Sequence, residues 1–282
     1  MDSVPPVVLV HGFWHGSWCW GLVTEELAAL GVPAVAVDME GHGLRSASPR
    51  ARWRRPFAPD VFAAEPSPVA AVTASSAAAT LVDQLRRIGG GRGCVLVAHS
   101  MGGVVATAVA EQAPELVSEV VYLSAYAPVS GKPTADYFAL PEAGQTVISL
   151  LVGDFTAIGA FRFDTGDPER QPAIRDVFYH DVDDATAAAA IALLSPDGPA
   201  GVPAETLTVT AERYGAIPHT YLICRQDKAF PVALQRIFVD EIDAVSARPT
   251  TVRELETSHS PFLSRPAELA DAIAAVHRTH CA

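Results

Sequence analysis

The chain has 282 residues, 49% hydrophobic and 18% charged, a composition that excludes intrinsic disorder. No apolar run reaches the roughly 20 residues that a membrane span needs, so we expect no membrane partner. The formal net charge of −12 argues against nucleic acid as a partner, because phosphate repels a surface of the same sign.

The start of the chain and its cysteines both bear on the compartment. Residues 1–6 lack the basic and apolar regions of a signal peptide. The four cysteines form no Cys-x-x-Cys pair and are interpreted as buried free thiols in a reducing compartment. We therefore predict a soluble, cytoplasmic protein that needs neither a metal nor an organic cofactor.

Short β-branched runs alternate with longer Ala- and Leu-rich segments along the chain. The predicted strands are residues 7–10, 34–38, 94–98, 120–124, 220–224 and 250–255. The predicted helices are residues 20–30, 74–88, 103–112, 231–242 and 266–277. This alternation is typical of an α/β fold, in which helices cover a mostly parallel sheet.

One long interval, rich in aromatic residues, interrupts this rhythm. A structureless loop of that length is implausible in a compact domain, so residues 128–218 are predicted to form an inserted helical cap. The core is then built from residues 1–127 and 219–282. A second irregular excursion covers residues 49–68.

Arginines cluster at the start of that second excursion, with no acidic residue between Glu40 and Asp60. A solvated loop is the simplest interpretation. Docking of an acidic carrier protein or another acidic ligand, such as a substrate carboxylate, is the alternative. The cluster runs from Arg45 to Arg55 and comprises Arg45, Arg50, Arg52, Arg54 and Arg55.

The strongest chemical signal is Ala98-His-Ser-Met-Gly102, which joins a predicted strand to a predicted helix. Small-x-Ser-x-Gly in that context is a nucleophile elbow, which holds the serine hydroxyl of Ser100 exposed on a strained turn. The small residues have a steric reason, since bulk at Gly102 or Gly103 would collide where strand and helix pass closely.

A second signal, His11-Gly-Phe13, directly follows the first strand. Acyl transfer passes through an oxyanion that needs donors fixed in advance. The backbone N–H groups of Phe13 and Met101 are the predicted donors, with Gly12 allowing a close approach. His11 is expected to tie this loop down through hydrogen bonds.

A serine nucleophile needs a base and an acid that orients the base. With a nucleophile elbow, the usual chain order is serine, then acid, then histidine. Asp227 follows the strand 220–224 and His259 follows the strand 250–255. All three groups therefore leave the carboxyl ends of parallel strands, where open α/β sheets bind ligands.

Other candidates are assigned structural places. Asp38 precedes the serine and opens a turn, and position 124, where such folds can carry the acid, is a serine. His277 and His280 lie in or after the last helix and are expected to be solvated.

Three stretches resemble the α/β-hydrolase superfamily, and within it the branch of methylesterases and hydroxynitrile lyases typified by plant methyl-salicylate and methyl-jasmonate esterases. They are Val8-Leu-Val-His-Gly-Phe-Trp-His-Gly-Ser-Trp-Cys-Trp20, residues 211–228 and the loop around His259. The resemblance implies a triad of Ser100, Asp227 and His259 and an apolar acyl pocket under the cap. It also implies substrate contacts from Phe13, Trp14, His15 and Tyr126; Trp14 and His15 are bulky neighbours of the oxyanion loop in any case.

Two departures separate this chain from the hydroxynitrile lyases. Gly12 stands where those lyases have threonine, and Ser260 stands where they have the lysine that follows the histidine. Lyase activity is therefore not expected. Serine rather than aspartate at position 100 argues equally against dehalogenase and epoxide hydrolase chemistry.

The sequence thus predicts a serine esterase for small to medium hydrophobic esters, methyl and aromatic esters included. One alternative is a thioesterase, lactonase or cyclase acting on a natural-product (polyketide-like) intermediate. Another is a small-molecule receptor with slow turnover. The physiological ester and the oligomeric state stay open.

Overall fold

The computed structural model describes residues 4–144 and 147–281. Residues 1–3, which belong to the segment where no signal peptide is predicted, lie outside this range. The strands are β1 (Val7–Val10), β2 (Ala34–Val37), β3 (Cys94–His99), β4 (Val117–Leu123), β5 (Ala160–Arg162), β6 (Asp197–Pro199), β7 (His219–Cys224) and β8 (Thr251–Leu255). The helices are α1 (Gly21–Ala29), α2 (Pro59–Ala64), α3 (Ala74–Gly89), α4 (Gly102–Gln112), α5 (Phe155–Ile158), α6 (Gln171–Phe178), α7 (Asp184–Leu193), α8 (Gly201–Ala204), α9 (Val232–Val245), α10 (Pro261–Ser264) and α11 (Pro266–Arg278).

The main sheet is parallel and has the strand order β2-β1-β3-β4-β7-β8. It contains all the strands predicted from the sequence, and α1, α3, α4, α9 and α11 match the predicted helices. The α/β architecture is therefore confirmed. Strand β4 starts earlier than predicted, at Val117.

The register of the sheet brings the carboxyl ends of its strands together. Ala98 at the end of β3 pairs with Val10 on one side and with Tyr122 on the other. Farther along, Cys224 at the end of β7 pairs with Leu255 at the end of β8. The loops that follow these strands consequently emerge at one edge of the sheet.

Strand β3 lies at the centre of the fold and is buried on both faces. Leu96 and Ala98 belong to the apolar cluster that includes helices α3, α4 and α9. Val95 and Val97 belong to the cluster on the other face, with α1 and α11. Because helices cover both faces of this central parallel strand, its sequence is a continuous apolar run.

The interval 128–218 departs from the sheet, as predicted. Its described part contributes no strand to the main sheet and contains helices α5 to α8. It also contains a short antiparallel pair, β5 with β6, that the sequence did not predict. The domain boundaries themselves stay a prediction.

The excursion that contains α2 is hydrogen-bonded to a buried ion pair that lies within this interval. Arg162 Nε lies 2.7 Å from Asp197 Oδ1, and both side chains are buried. The same guanidinium donates to the carbonyl oxygens of Phe62 and Glu65. Ser67 Oγ donates to Asp197 Oδ2 at 2.6 Å, so these hydrogen bonds to the ion pair join two segments that are far apart in sequence.

Two expectations about side chains near the end of the chain are wrong. Cys281 is exposed, whereas the other cysteines are buried, and all are free thiols. His277 is buried and its Nε2 lies 3.0 Å from the carbonyl oxygen of Pro5, while His280 Nε2 lies 2.7 Å from Glu119. Among the described residues, no helix is long and apolar enough to cross a bilayer.

Candidate active site

Ser100 stands at the turn between β3 and α4 in a strained backbone conformation. Its φ is 52°, in the left-handed region that disfavours side chains with a Cβ. Hydrogen bonds hold the turn: Ser100 N donates to Leu123 O at 3.2 Å, and Tyr126 N donates to Ser100 O at 3.1 Å. The neighbouring strand therefore maintains the strain that exposes the hydroxyl.

The glycines around the elbow are required by close packing. A Cβ at Gly102 would collide with the His11 carbonyl oxygen, and one at Gly103 with the carbonyl oxygen of Tyr126. A Cβ at Gly12 would lie 2.6 Å from Ser100 Cβ. The steric reason inferred for the small residues after the serine is confirmed.

His259 and Asp227 form a buried pair. His259 Nδ1 lies 2.6 Å from Asp227 Oδ2, and because a carboxylate only accepts, Nδ1 carries the proton. The other carboxylate oxygen, Oδ1, accepts from the backbone N–H groups of Ala229 at 2.8 Å and Phe230 at 2.7 Å. In the neutral ring Nε2 therefore keeps a lone pair, the form that a base needs.

Ser124 contributes to this pair in a way that sequence reasoning missed. It ends the neighbouring strand β4, where the alternative acid position lies, and its Oγ donates to Asp227 Oδ2 at 2.5 Å. A hydrogen bond to a charged oxygen favours the ionised carboxylate. A serine at this position does not mark a supporting role in the sequence, because the pattern distinguishes only an acid there.

His99, directly before the nucleophile, holds the loop of His259. Its Nε2 lies 2.9 Å from the carbonyl oxygen of His259, and the two ring centroids are 4.5 Å apart. Burial lowers the pKa of His99 well below the ordinary value, so the ring stays neutral. Nε2–H is then the donor that fixes the main chain of the base.

The loop after β1 is tied down by His11, as predicted. Its Nδ1 lies 2.7 Å from the carbonyl oxygen of Gly12, and its Nε2 accepts from Met39 N at 3.1 Å. Burial and the neighbouring His42 lower the pKa of His11 to about 3, so the ring is neutral and Nδ1–H donates. Asp38, predicted to be structural, accepts from the backbone N–H groups of Ser17 and Leu44.

Phe13 and Met101, whose backbone N–H groups were the predicted oxyanion donors, both line the cavity that contains Ser100 and His259. Within residues 4–144 and 147–281, neither N–H donates to another protein group. Met101 precedes α4, so its N–H lies at the positive end of a helix dipole. Their role as an oxyanion hole stays a prediction.

The cavity beside Ser100 is small, with a volume of about 60 Å³. Its walls are mainly apolar, and the cap supplies several of them, including Val147 and Ile148. The aromatic part of the wall consists of Phe13, Trp14, Phe138, Phe161, Phe178 and Phe230, together with Tyr126.

His15, predicted to contact substrate, is not among the residues that line this cavity in the structure, and its contact with a substrate stays a prediction. Its Nδ1 lies 2.9 Å from the carbonyl oxygen of Phe13, and Tyr179 Oη lies 2.7 Å from its Nε2. Burial lowers the pKa of His15 to about 3. The neutral ring supports the loop after β1 through Phe13, and the sequence could not show on which side of the loop it lies.

Trp14 and Tyr126, the other two residues assigned to substrate contact, do line the cavity. The ring of Tyr126 packs against Phe230 with centroids 4.3 Å apart. Burial raises the pKa of Tyr126 well above the ordinary value, so its phenol remains a hydrogen-bond donor. Contact with a substrate stays a prediction for both residues.

The arginine cluster lies before α2, and two of its members, Arg52 and Arg55, line a cavity. That cavity is a second cleft, of about 970 Å³, between the excursion and the cap. Arg52 Nη2 lies 3.4 Å from the carbonyl oxygen of Leu194, and Arg55 Nη1 lies 2.9 Å from that of Arg54. Docking of an acidic partner here is untested.

The site therefore joins a strained serine, a histidine whose Nδ1 is bonded to a carboxylate and that buried carboxylate at one edge of the sheet. Such a set can perform nucleophilic acyl transfer. In the part of the chain that the structure describes, no group of three or more His, Cys, Asp or Glu side chains is arranged to hold a metal ion.

Comparisons with known proteins agree with this fold. Residues 7–272 match the model of the alpha/beta hydrolase family. Among curated proteins, Methylesterase 7 of Arabidopsis thaliana is 27% identical over 274 residues, which cover 93% of this chain and 92% of that protein.

Solved structures share the fold over nearly the whole length. A pyrethroid hydrolase from Sphingobium faniae superposes with a TM-score of 0.74 at 24% identity and covers 98% of both chains. Polyneuridine aldehyde esterase gives a TM-score of 0.74 at 21% identity, covering 97% of this chain and 99% of its own.

Proposed function

The chain belongs to the alpha/beta hydrolase family, and on that premise we propose that it is a serine-dependent esterase. It hydrolyses small to medium hydrophobic carboxylic esters, methyl and aromatic esters included, through an acyl-enzyme. The curated relative named as a methylesterase and the apolar walls of the cavity support this substrate class.

The observation that carries the proposal is the hydrogen bond from His259 Nδ1 to Asp227, beside the cavity that Ser100 lines. It leaves His259 Nε2 free to take the proton of Ser100 as the hydroxyl oxygen attacks the ester carbonyl. Asp227 keeps the ring in this tautomer and stabilises the imidazolium that forms.

The backbone N–H groups of Phe13 and Met101 receive the oxyanion of the tetrahedral intermediate. His259 then gives its proton to the departing alcohol and leaves an acyl group on Ser100. In the second half His259 activates water, which attacks the acyl carbonyl, and the acid product leaves as Ser100 regains its proton.

Burst kinetics on short and aromatic p-nitrophenyl esters, with methyl esters in parallel, test the proposal. Wild type should release a burst of p-nitrophenol followed by turnover, and Ser100→Ala should abolish both. Losing any one of the three residues should lower turnover by several orders of magnitude, because they act as a unit. Hydrolysis by a folded Ser100→Ala variant at the wild-type rate would refute the mechanism.

A thioesterase, lactonase or cyclase with the same triad is the second candidate. It is favoured by the guanidinium groups of Arg52 and Arg55, which in the described chain have no carboxylate within 4.0 Å and could receive an acidic carrier protein or a substrate carboxylate. Turnover of thioesters or lactones alone, dependent on Ser100, would favour it. Stoichiometric binding without turnover, unaffected by Ser100→Ala, would instead favour a receptor.

We also propose a cytoplasmic location and a reaction without a metal or organic cofactor. The free thiols at Cys19, Cys94 and Cys224 support the reducing compartment. The mechanism above uses only side chains and backbone groups of this chain.

A further inference from the structure

The cavity beside Ser100 is smaller than the substrates proposed for it. Its volume is about 60 Å³, whereas a protein cavity that binds one benzene molecule measures about 150 Å³. Pockets for larger organic ligands measure about 300–1,000 Å³. As it stands, the inner cavity receives a small group such as an acetyl, and the rest of a longer ester needs space elsewhere.

The second cleft, of about 970 Å³, adjoins this inner cavity through two shared segments. In the first, Val147 and Ile148 line the inner cavity, while Leu151 and Val152 line the cleft. In the second, Phe161 lines the inner cavity and Phe163 lines the cleft. The cleft is therefore separated from the nucleophile by a thin wall of side chains.

An aromatic stack forms part of that wall. Trp14, which lines the inner cavity, stacks on Phe163 with ring centroids 4.0 Å apart and an interplanar angle of 17°. Trp14 has φ 63°, a backbone conformation that is strained for a residue with a Cβ. Its Nε1 donates to Phe161 O at 2.8 Å, and its carbonyl accepts from Ser195 N at 2.7 Å. Strain of this kind is common where a ligand is clamped or a segment switches.

The charged side chains on the walls of the cleft differ in whether they have a partner within the protein. Arg170 pairs with Asp167 at 3.4 Å, and Asp164 accepts from Gly166 N at 3.2 Å. Asp60 lies in the first turn of α2, where the helix dipole stabilises a carboxylate.

The guanidinium groups of Arg52 and Arg55 have no carboxylate within 4.0 Å among the described residues. Burial lowers the pKa of Arg52, with the more distant charges of Asp197 and Asp164 acting in the opposite direction, which marks a cation partly removed from water. A guanidinium in that state favours an anion as its partner.

We propose that this cleft is the outer chamber of the active site and binds the far end of esters that carry a carboxylate there. Arg52 and Arg55 hold the carboxylate, and the Trp14–Phe163 stack is the partition that a longer substrate must displace to place its ester at Ser100. The proposal rests on the esterase function and names the substrate class.

The first test uses methyl acetate, the methyl ester of a medium-chain fatty acid and the monomethyl ester of the matching dicarboxylic acid. The quantity compared is the ratio of kcat/KM for the acid-ended ester to that for its neutral match. Replacing Arg52 and Arg55 together by methionine should lower this ratio about tenfold, through KM, since each lost bond involves a charged group. Arg54→Met, an exposed arginine outside the cleft wall, is the matched control and should leave the ratio unchanged. An unchanged ratio in the double variant overturns the carboxylate site.

The second test removes the partition. Phe163→Ala should raise the kcat/KM of the medium-chain ester relative to methyl acetate about tenfold, and Phe163→Leu serves if the alanine variant does not fold. Phe155→Ala is the control, because Phe155 stacks on Phe161 but lines neither cavity. If the ratio stays the same in a folded Phe163 variant, the partition is refuted. If wild type shows no Ser100-dependent hydrolysis of methyl acetate, the esterase function itself fails.

Discussion

The carboxyl edge of the sheet and the cap meet at the cavity beside Ser100, but different interactions hold them. At the edge, directional hydrogen bonds dominate, and Asp227 alone accepts four of them. In the cap, ring contacts dominate, such as Phe155 stacked on Phe161 with centroids 4.8 Å apart. Hydrogen bonds constrain angle and distance far more tightly than ring contacts do. The edge can therefore fix where a reaction takes place, while the cap can change which molecules fit.

Removing the acid should test the edge most severely. We expect Asp227→Asn to lower kcat about ten-thousandfold, because an amide in that place can leave His259 in the wrong tautomer. Steady-state kinetics on a small p-nitrophenyl ester measure it. Ser124→Ala is the matched control: it removes one donor but keeps the acceptor, and should cost only about tenfold. Equal losses in the two variants would mean that Asp227 does not orient the base.

Low pH should lower the stability of the folded chain through the buried histidines near this edge of the sheet. Burial lowers the pKa of His11 and His15 to about 3 and that of His42 to about 4. Below about pH 6.5 these histidines bind protons in the unfolded chain but stay neutral in the folded chain. The free energy of unfolding should therefore fall by several kcal/mol as the pH drops from about 6.5 to about 4.

Urea unfolding across that pH window measures the effect. Replacing His15 with glutamine should flatten the slope of stability against pH, because it removes one of the buried rings that stay neutral in the folded chain. A stability that stays constant between about pH 7 and about pH 5 would contradict the expectation.

The bond from His99 to the main chain of the base should matter less than the acid, but measurably. His99→Leu removes the donor to the His259 carbonyl, and we expect kcat to fall about thirtyfold with little change in KM. His99→Gln, which returns an N–H donor, should recover much of the loss. A variant that loses stability but keeps kcat would show that His99 acts in packing alone and does not position His259.

The smallest effect is expected in the cap. Phe138 lines the inner cavity and makes edge contacts with Tyr126 and Phe161, whose centroids lie 5.8 and 5.9 Å away. Phe138→Ala should enlarge the cavity and raise kcat/KM for an aromatic ester relative to acetate about fivefold. The kcat for acetate should change little. A large fall in kcat for every ester would mean that the cap positions the reacting groups as well.

Sequence patterns anticipated the edge of the sheet better than its surroundings. Residues that follow parallel strands must emerge together, so chain order alone brought Ser100, Asp227 and His259 to one edge. The supporting contacts of Ser124 and His99 were not predicted, because no spacing or composition marks a side chain that donates a single hydrogen bond. The hydrogen bonds by which His11 ties its loop were anticipated, since a histidine beside a glycine-containing loop after a strand has few other partners.

The cap and the chain end were harder to anticipate for a different reason. His15 and Trp14 are neighbours on one loop, yet Trp14 lines the cavity and His15 is not among its lining residues, a choice made by packing against Phe163 and Tyr179. His277 was expected in solvent, but Pro5, from the opposite end of the chain, provides its partner. Contacts between segments so distant in sequence depend on the tertiary fold, which local patterns do not encode.

The buried Arg162–Asp197 pair has a consequence for exchanging modules between related proteins. Because the guanidinium also binds the carbonyls of Phe62 and Glu65, buried hydrogen bonds hold the cap and the excursion around α2 together despite their separation in sequence. A chimera that received a foreign cap alone would leave the carbonyls of Phe62 and Glu65 without their donor, at a cost of about 1–3 kcal/mol for each buried group. The smallest transplantable cap therefore consists of two pieces of chain, and recombination at a single pair of crossover points should yield chimeras that are less stable than either parent.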